Sequence, residues 1–452
     1  MDPIKFKSVV TALIVVSGAL LVVLWGSGPS VTANQSLGIG IDFGEREVVW
    51  SDIDLKLHGD PYDALDYACK ENGFIYSIDS DRVLVSLNGV TNDPFTRWGL
   101  WVVEKESLNW KKLDAPYDVD LIDFTVSMWA YCFGTETPAI AVDQTGKSIY
   151  GYPQAIRTIT LSPSLTEIIG SLNAVNTLVG TDKYSNYPNE VSVRQSSGEI
   201  KIIGDFLSPS YELIMKEAPD VVFCDGSQYT HYEMSSRLIR SGVNSVVMYG
   251  GESVDTILNN IYIMGTVMGY ELRAIEVISY LEYAEEALRT LLETNATSNV
   301  NVMVALSPDI SPWVSGSYTY MSDILSKMFG VNVFSDKNGW VHINSEMIAR
   351  FDPDVIIVLS DEYTASQSEY NYMFSHLPGE WKSTKAWNTG RVYMICEDAA
   401  EMAQRAGPRF AQLMELVARI LHPGAFTGGD ISKFIGSDYE RYLSYTDSLG
   451  FN

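Results

Sequence analysis

A motif that occurs twice constrains this chain more than any other feature. The first copy reads Glu212-Leu-Ile-Met-Lys-Glu-Ala-Pro219-Asp220-Val221-Val222, the second Glu346-Met-Ile-Ala-Arg-Phe-Asp-Pro353-Asp354-Val355-Ile356. Each predicts a short helix stopped by proline that feeds a buried β-branched strand, VVFCD at 221–225 and IIVLSD at 356–361. Between the copies lies Tyr270–Thr294, with apolar residues at Ala274, Ile275, Val277, Ile278, Leu281, Ala284, Leu288, Leu291 and Leu292. That is helical spacing, and Glu276, Glu282, Glu285, Glu286 and Arg289 fill the opposite face. At 1.5 Å per residue the helix is about 36 Å long, enough to cross a small domain. The expected fold class is α/β: two Rossmann-like lobes, 155–269 and 298–423, joined by one long helix at 270–294.

Charge narrows the function. A net charge of -26 excludes a nucleic-acid partner, because phosphates demand clustered Lys and Arg. Five His without H-x-x-x-H or H-x-x-E spacing, and four Cys without C-x-x-C, give no metal centre and no redox motif. No His accompanies a G-x-S-x-G elbow, and one thiol from each lobe (Cys224, Cys396) makes a poor cluster site. The chain therefore reads as a binder rather than an enzyme, with no catalytic residues and no resident cofactor. Cys69 and Cys132 could pair in an oxidising compartment.

Lys5 and Lys7 precede an uncharged apolar run at 9–25, either a signal-peptide core or a membrane anchor; its length favours an uncleaved anchor. Both imply export, to the cell surface or periplasm, with the basic end inside. Residues 1–30 are assigned to this segment and 40–150 to a small β-rich α+β domain, in which DPYDALDYACKENG suggests a helix and RVLVSLNGV, RWGLWVVEKE and FTVSMWAYC suggest strands. Trp98, Trp101, Trp110 and Trp129 gather there, as core or as ligand surface. Residues 424–452 read as a polar, aromatic tail. Ser164 or Thr166 could cap the helix of RTITLSPSLTEIIGSLN, with Glu167 suited to its positive end.

The pattern W-G-L-W-V-V, then N-W, then D-F-T-V-S-M-W-A-Y resembles the small C-terminal domain of transcobalamin and intrinsic factor, although the family's Asn-Gly is absent after WVVEKESLN. RTITLSPSLTEIIGSLNAVNTLVGTDKYSNYP, the two Glu-to-Pro-Asp-Val segments, S-P-W-V-S-G, A-G-P-R and L-H-P together resemble the cobalamin-binding proteins of ABC importers, the single-helix-linked class, over about 155–425. The resemblance implies a monomeric protein outside the cell that captures cobalamin or a related corrinoid between two lobes and delivers it to a permease and its ATPase. Siderophore, haem and other metal-chelate binders share most of these motifs, and a surface adhesion protein is a reading of another class.

By motif, Tyr184, Phe206, Trp313 and Trp340 correspond to aromatic residues lining the family's corrin site. Ser162 and Ser164 belong to the Ser-Pro turn, and Asp225 replaces an aromatic residue of the family. Asp398 is the acid expected to bond a corrin amide or the lower nucleotide. His342 reads as a solvated loop residue with cobalt ligation as the minor alternative, and no metal site is assigned. Glu212 and Glu346, one per lobe, correspond to the carboxylates that dock on arginines of the permease; each also suits the dipole of its own helix. Lys183 and Lys337 are the main cations in the candidate loops, too few for a carboxylate-bearing ligand.

Overall fold

The computed structural model describes residues 39–446 except 44–47, 52, 105–109, 134–137, 139–140, 146, 150–154, 156, 296–298, 361 and 428–430. The apolar run at 9–25 lies outside the described residues, among which no helix is long and apolar enough to cross a membrane. The chain opens with strands β1 (Ile39–Asp42) and β2 (Val48–Ser51), helix α1 (Pro61–Asn72), and strands β3 (Thr96–Glu104), β4 (Trp110–Lys112) and β5 (Phe124–Phe133). The strands form one sheet in the order β2-β1-β5-β3-β4. Alternation along β5 sends Trp129 toward α1 and Met128, Ala130 and Cys132 to the opposite face. Cys69 sits on α1, so the sheet separates it from Cys132, and the pairing that the sequence left open is not made. Trp98, Trp101 and Trp129 are all buried, which makes them packing residues. A short hairpin, β6 (Ala141–Val142) and β7 (Ser148–Ile149), then fastens onto the next sheet: the Gln144 amide donates to the Val247 carbonyl at 2.9 Å.

The first lobe is a five-stranded parallel sheet of β8 (Thr158–Thr160), β9 (Leu178–Thr181), β10 (Lys201–Ile202), β11 (Val221–Asp225) and β12 (Asn244–Met248), in the order β10-β9-β8-β11-β12. Its helices include α2 (Pro163–Ser171), α3 (Tyr211–Lys216) and α4 (Tyr229–Arg240), and α5 (Val254–Met268) leads to the connecting helix α6 (Glu271–Asn295). Gly265 lets the last two approach closely, since a Cβ there would lie 2.4 Å from the Ala274 Cβ. In the second lobe β13 (Val300–Ala305) pairs on one side with β14 (Trp313–Ser315), which pairs with β15 (Trp340–His342), and on the other with β16 (Val355–Leu359), beyond which lie β17 (Val392–Ile395) and β18 (Phe434–Ile435). Its helices include α7 (Tyr320–Lys327), α8 (Ser345–Phe351), α9 (Glu397–Gln404) and α10 (Phe410–Leu421).

The duplicated motif builds the same corner in both lobes. Ser210 and Asn344 cap α3 and α8 by accepting from the Leu213 and Met347 amides. Each proline bars its predecessor from helical geometry, and Ala218 (φ 45°) and Asp352 (φ 44°) leave through the left-handed region. The aspartate that follows ties the new strand to its neighbour: Asp220 Oδ2 accepts from the Arg157 amide at 2.9 Å, and Asp354 Oδ2 from the Asn301 amide at 3.1 Å. Pro-Asp-Val is thus a strand-pairing device.

Residues 431–446, read from the sequence as tail, return to the second lobe. Phe434–Ile435 adds a strand, Ile435, Tyr439 and Leu443 are buried, and the buried Glu415 carboxylate accepts from the Ser444, Tyr445 and Thr446 amides. One continuous core runs from Leu165 and Ile168 through Val277 and Leu281 of the connecting helix to Phe410 and Leu416. Both lobes pack on the same side of that helix, so their spacing is set by a shared apolar core rather than by a flexible hinge.

Candidate ligand-binding cleft

Because the strands of the first lobe run parallel, their C-terminal ends and the loops that follow lie along one edge, where α/β sheets bind ligands. Against that edge the second lobe sets Tyr318, Tyr320, Trp340 and the C-terminal end of α9, enclosing a cleft of about 1070 Å³. This exceeds the usual range for drug-sized ligands and suits a larger molecule. Of the residues selected from the sequence, Ser162, Ser164, Tyr184, Phe206, Asp225 and Trp340 all line it.

Each wall is held from behind. In the Asp182–Tyr187 loop the buried Asp182 carboxylate accepts from the Tyr184 amide at 2.7 Å and from the Ser185 hydroxyl, and burial raises its pKa above the usual range. Tyr184 stays half exposed, with its hydroxyl 3.3 Å from Asp205 and the Lys183 ammonium 4.6 Å from its ring centroid. Ser164 donates to Asp225 at 3.4 Å and pairs with Ser162 at 3.0 Å. Helix α2 therefore starts at Ser162 without a side-chain cap, and Thr166 turns instead to Thr160 at 2.6 Å and Ser185 at 2.7 Å. Trp340 follows Gly339, whose φ of 69° makes the turn, and Gly316 lets the facing loop interlock, because a Cβ there would lie 2.5 Å from the Lys337 carbonyl.

His231 is a supporting residue that the sequence did not disclose. It is fully buried; its Nδ1 accepts from the Asp225 amide at 2.9 Å, and its Nε2 lies 2.7 Å from the Phe206 carbonyl. The first bond requires neutral Nδ1, so Nε2 donates, and one imidazole fixes two wall loops. Burial pushes its pKa below 6.5. The unfolded chain then binds the proton more readily, so stability falls as pH drops through about 6.5. Denaturant unfolding at pH 7.5 and 5.5 is expected to show that loss in the native chain and a smaller one in His231→Gln.

Trp313 and Asp398 lie elsewhere. Trp313 occupies the end of the β14–β15 ribbon opposite the Ser315–Trp340 pair, where its ring packs on His342 at 3.9 Å. His342 meets the Ser311 carbonyl at 3.0 Å, and neither residue lines the cleft. Asp398 opens α9 and faces a second cavity; only the far end of that helix, at Glu401 and Gln404, with Arg405 just beyond, reaches the cleft. Lys337 also stands off the lining, paired with Asp336 at 2.7 Å.

Between the two cavities runs a buried partition that joins the lobes. Glu167 is 3% exposed and receives Arg409 of the other lobe through two bonds, at 2.9 and 2.5 Å. Arg405 adds a third at 3.2 Å, and also meets Asn186 at 2.7 Å, the Tyr184 carbonyl at 3.1 Å and Glu401 at 3.1 Å. Glu167 is therefore a cross-lobe ion-pair partner and not a helix-dipole residue. A carboxylate inside the apolar run LTEIIG was the available signal, because a buried charge demands a partner.

Two α/β lobes on one helix, closing on a preformed cleft at their strand ends, define a two-lobed ligand-binding protein. The chain belongs to the periplasmic binding protein family, which it matches over residues 159–399. It is similar to the uncharacterized ABC transporter substrate-binding lipoprotein YvrC of Bacillus subtilis (strain 168), 24% identical over 294 residues, 64% of this chain and 87% of that protein. Among solved structures it resembles CeuE of Helicobacter pylori in a Ni-His complex, with 18% identity, 68% of this chain and 94% of that one covered, and a TM-score of 0.54. It also resembles the apo periplasmic heme-binding protein RhuT of Roseiflexus sp. RS-1, with 21% identity, 60% and 99% covered, and a TM-score of 0.50. At these identities the structural likeness speaks to fold alone.

Proposed function

We propose that the protein captures cobalamin or a related corrinoid in this cleft, outside the cell, and delivers it to the permease of an ABC importer. One observation carries the choice of ligand: the cleft is large and bordered by aromatic rings, and both cations lining it, Lys183 and Arg405, are already matched to carboxylates at 2.5 and 3.1 Å. A corrin is a broad ring with neutral amide edges, and such a ligand needs ring faces and hydrogen-bond partners but no free cation. Haem or a siderophore would place carboxylate or catecholate charge against these neutralised walls. Titrating the purified chain with dicyanocobinamide and cyanocobalamin tests the reading, which requires saturable binding of one of them.

Delivery would use the duplicated helices. Glu212 and Glu346 sit at matching positions near the starts of α3 and α8, both exposed, and Glu212 has only a surface contact with Arg237 at 3.4 Å. Two equivalent carboxylates suit two equivalent arginines on a two-fold symmetric permease. The paired reversal Glu212→Arg with Glu346→Arg is expected to abolish uptake into cells while leaving ligand affinity within about twofold, since exposed charges outside the cleft lining contribute little to it. Equal loss of affinity would place the pair in the ligand site instead. The resemblance of the N-terminal sheet to a cobalamin-carrier domain fits the same reading. The hairpin that follows that sheet reaches the cleft rim, where a Cβ on Gly226 would lie 1.7 Å from Gln144 Oε1.

A further inference from the structure

The geometry points to Glu401 and Asp205 as selectivity-determining residues: each neutralises a cation at the cleft and thereby denies carboxylate-bearing ligands a counter-charge. The inference rests on the cleft being the ligand site and explains how one ligand charge class is refused. Where the lobes meet behind the second-lobe wall, Arg405 and Arg409 carry two positive charges, and Glu401 with Glu167 of the first lobe two negative ones. Glu167 is committed to Arg409 by its two bonds, at 2.9 and 2.5 Å, so Glu401, at 3.1 Å, completes the balance of Arg405. Asn186 locks the couple in place, donating to Glu401 at 2.8 Å and accepting from Arg405 at 2.7 Å. On the first-lobe wall, Asp205 holds Lys183 at 2.5 Å and accepts from the Tyr184 hydroxyl at 3.3 Å, and the ammonium draws its pKa below the usual carboxylate range. Each lobe therefore presents one cation to the cleft: Lys183 is met by Asp205, and Arg405 by Glu401 together with a share of Glu167.

A ligand carboxylate could pair with Lys183 or Arg405 only by displacing a protein carboxylate that is already in place, so the exchange gains nothing. Specificity of this kind acts against the wrong ligand and not for the right one. It also makes a gain-of-function prediction, which a merely structural ion pair does not. Replacing Asp205 and Glu401 by amides keeps their shape and removes two negative charges, leaving Lys183 without its acid and Arg405 and Arg409 to share Glu167, one positive charge in excess on each side of the cleft.

The test compares the native chain with Asp205→Asn/Glu401→Gln in equilibrium titrations with hemin, whose two propionates are ionised, and hemin dimethyl ester, which has none. The expected result is a gain of at least about tenfold for hemin, equivalent to about 1.4 kcal/mol, with no gain for the ester. Adding Lys183→Met should remove part of that gain. No gain for hemin, an equal gain for the ester, or tight hemin binding by the native chain would each overturn the proposal. Dicyanocobinamide, run in parallel, judges the corrinoid reading separately: if it fails to bind, that reading falls, and the hemin-to-ester comparison still decides the role of the two acids.

Discussion

Glu167→Gln is expected to lower the unfolding free energy by about 3–5 kcal/mol, the range for removing one partner of a buried ion pair. The substitution keeps the volume of the side chain and removes the one carboxylate that, among the described residues, pairs with Arg409, which is itself 3% exposed. The guanidinium is almost wholly buried beside the second cavity, and its other contacts, the Tyr187 ring at 4.0 Å and the Tyr439 hydroxyl at 3.5 Å, do not balance a full charge. Arg409→Met should cost less, because Arg405, 3.2 Å away, still compensates Glu167. The pair Glu167→Gln with Arg409→Met should cost clearly less than the sum, because no unmatched charge remains from that couple. Chemical denaturation of the four proteins checks this. Additive losses would mean that the two residues contribute independently and that the partition is not an ion-pair lock.

Trp340→Ala should weaken corrinoid binding by about 2 kcal/mol, roughly thirtyfold, the loss typical of removing a buried aromatic anchor from an interface. Trp340 is only partly buried in the free protein, so its melting transition should move little. Trp313→Ala should leave affinity unchanged, since that ring packs on His342 outside the cleft. The contrast separates two tryptophans that the sequence presented as equivalents. A loss with Trp313→Ala equal to that with Trp340→Ala would put the ligand at the other end of the β14–β15 ribbon.

That contrast shows where sequence reasoning reached and where it stopped. The two lobes and their linking helix were legible because duplication and 3.6-residue periodicity are local signals that survive without coordinates. Five of the cleft residues, Ser162, Ser164, Tyr184, Phe206 and Asp225, were legible for a related reason: in a parallel sheet every loop after a strand arrives at the same edge, so position in the motif suffices, whereas Trp340, on the antiparallel ribbon, was reached by its motif alone. Trp313 and Asp398 fail that logic. One lies two residues too early on an antiparallel ribbon and the other one helical turn before the end of α9 that faces the cleft, distances that a motif does not resolve. The Glu167–Arg409 couple spans 242 positions, and only the energetic demand of a buried carboxylate hinted at it. His231 gave no signal, because a histidine bridging two backbone groups looks like any other in an amphipathic helix. Residues 431–446 looked polar because their few anchors, Ile435, Tyr439 and Leu443, are spaced among exposed positions.

Calorimetric titration of the purified chain with dicyanocobinamide, cyanocobalamin, hemin and a ferric siderophore tests the central claim most directly, with Trp340→Ala alongside. The account predicts saturable one-to-one binding of a corrinoid, weakened by the substitution, and weaker or no binding of hemin and siderophore. Tight binding of hemin or the siderophore without a corrinoid would contradict it.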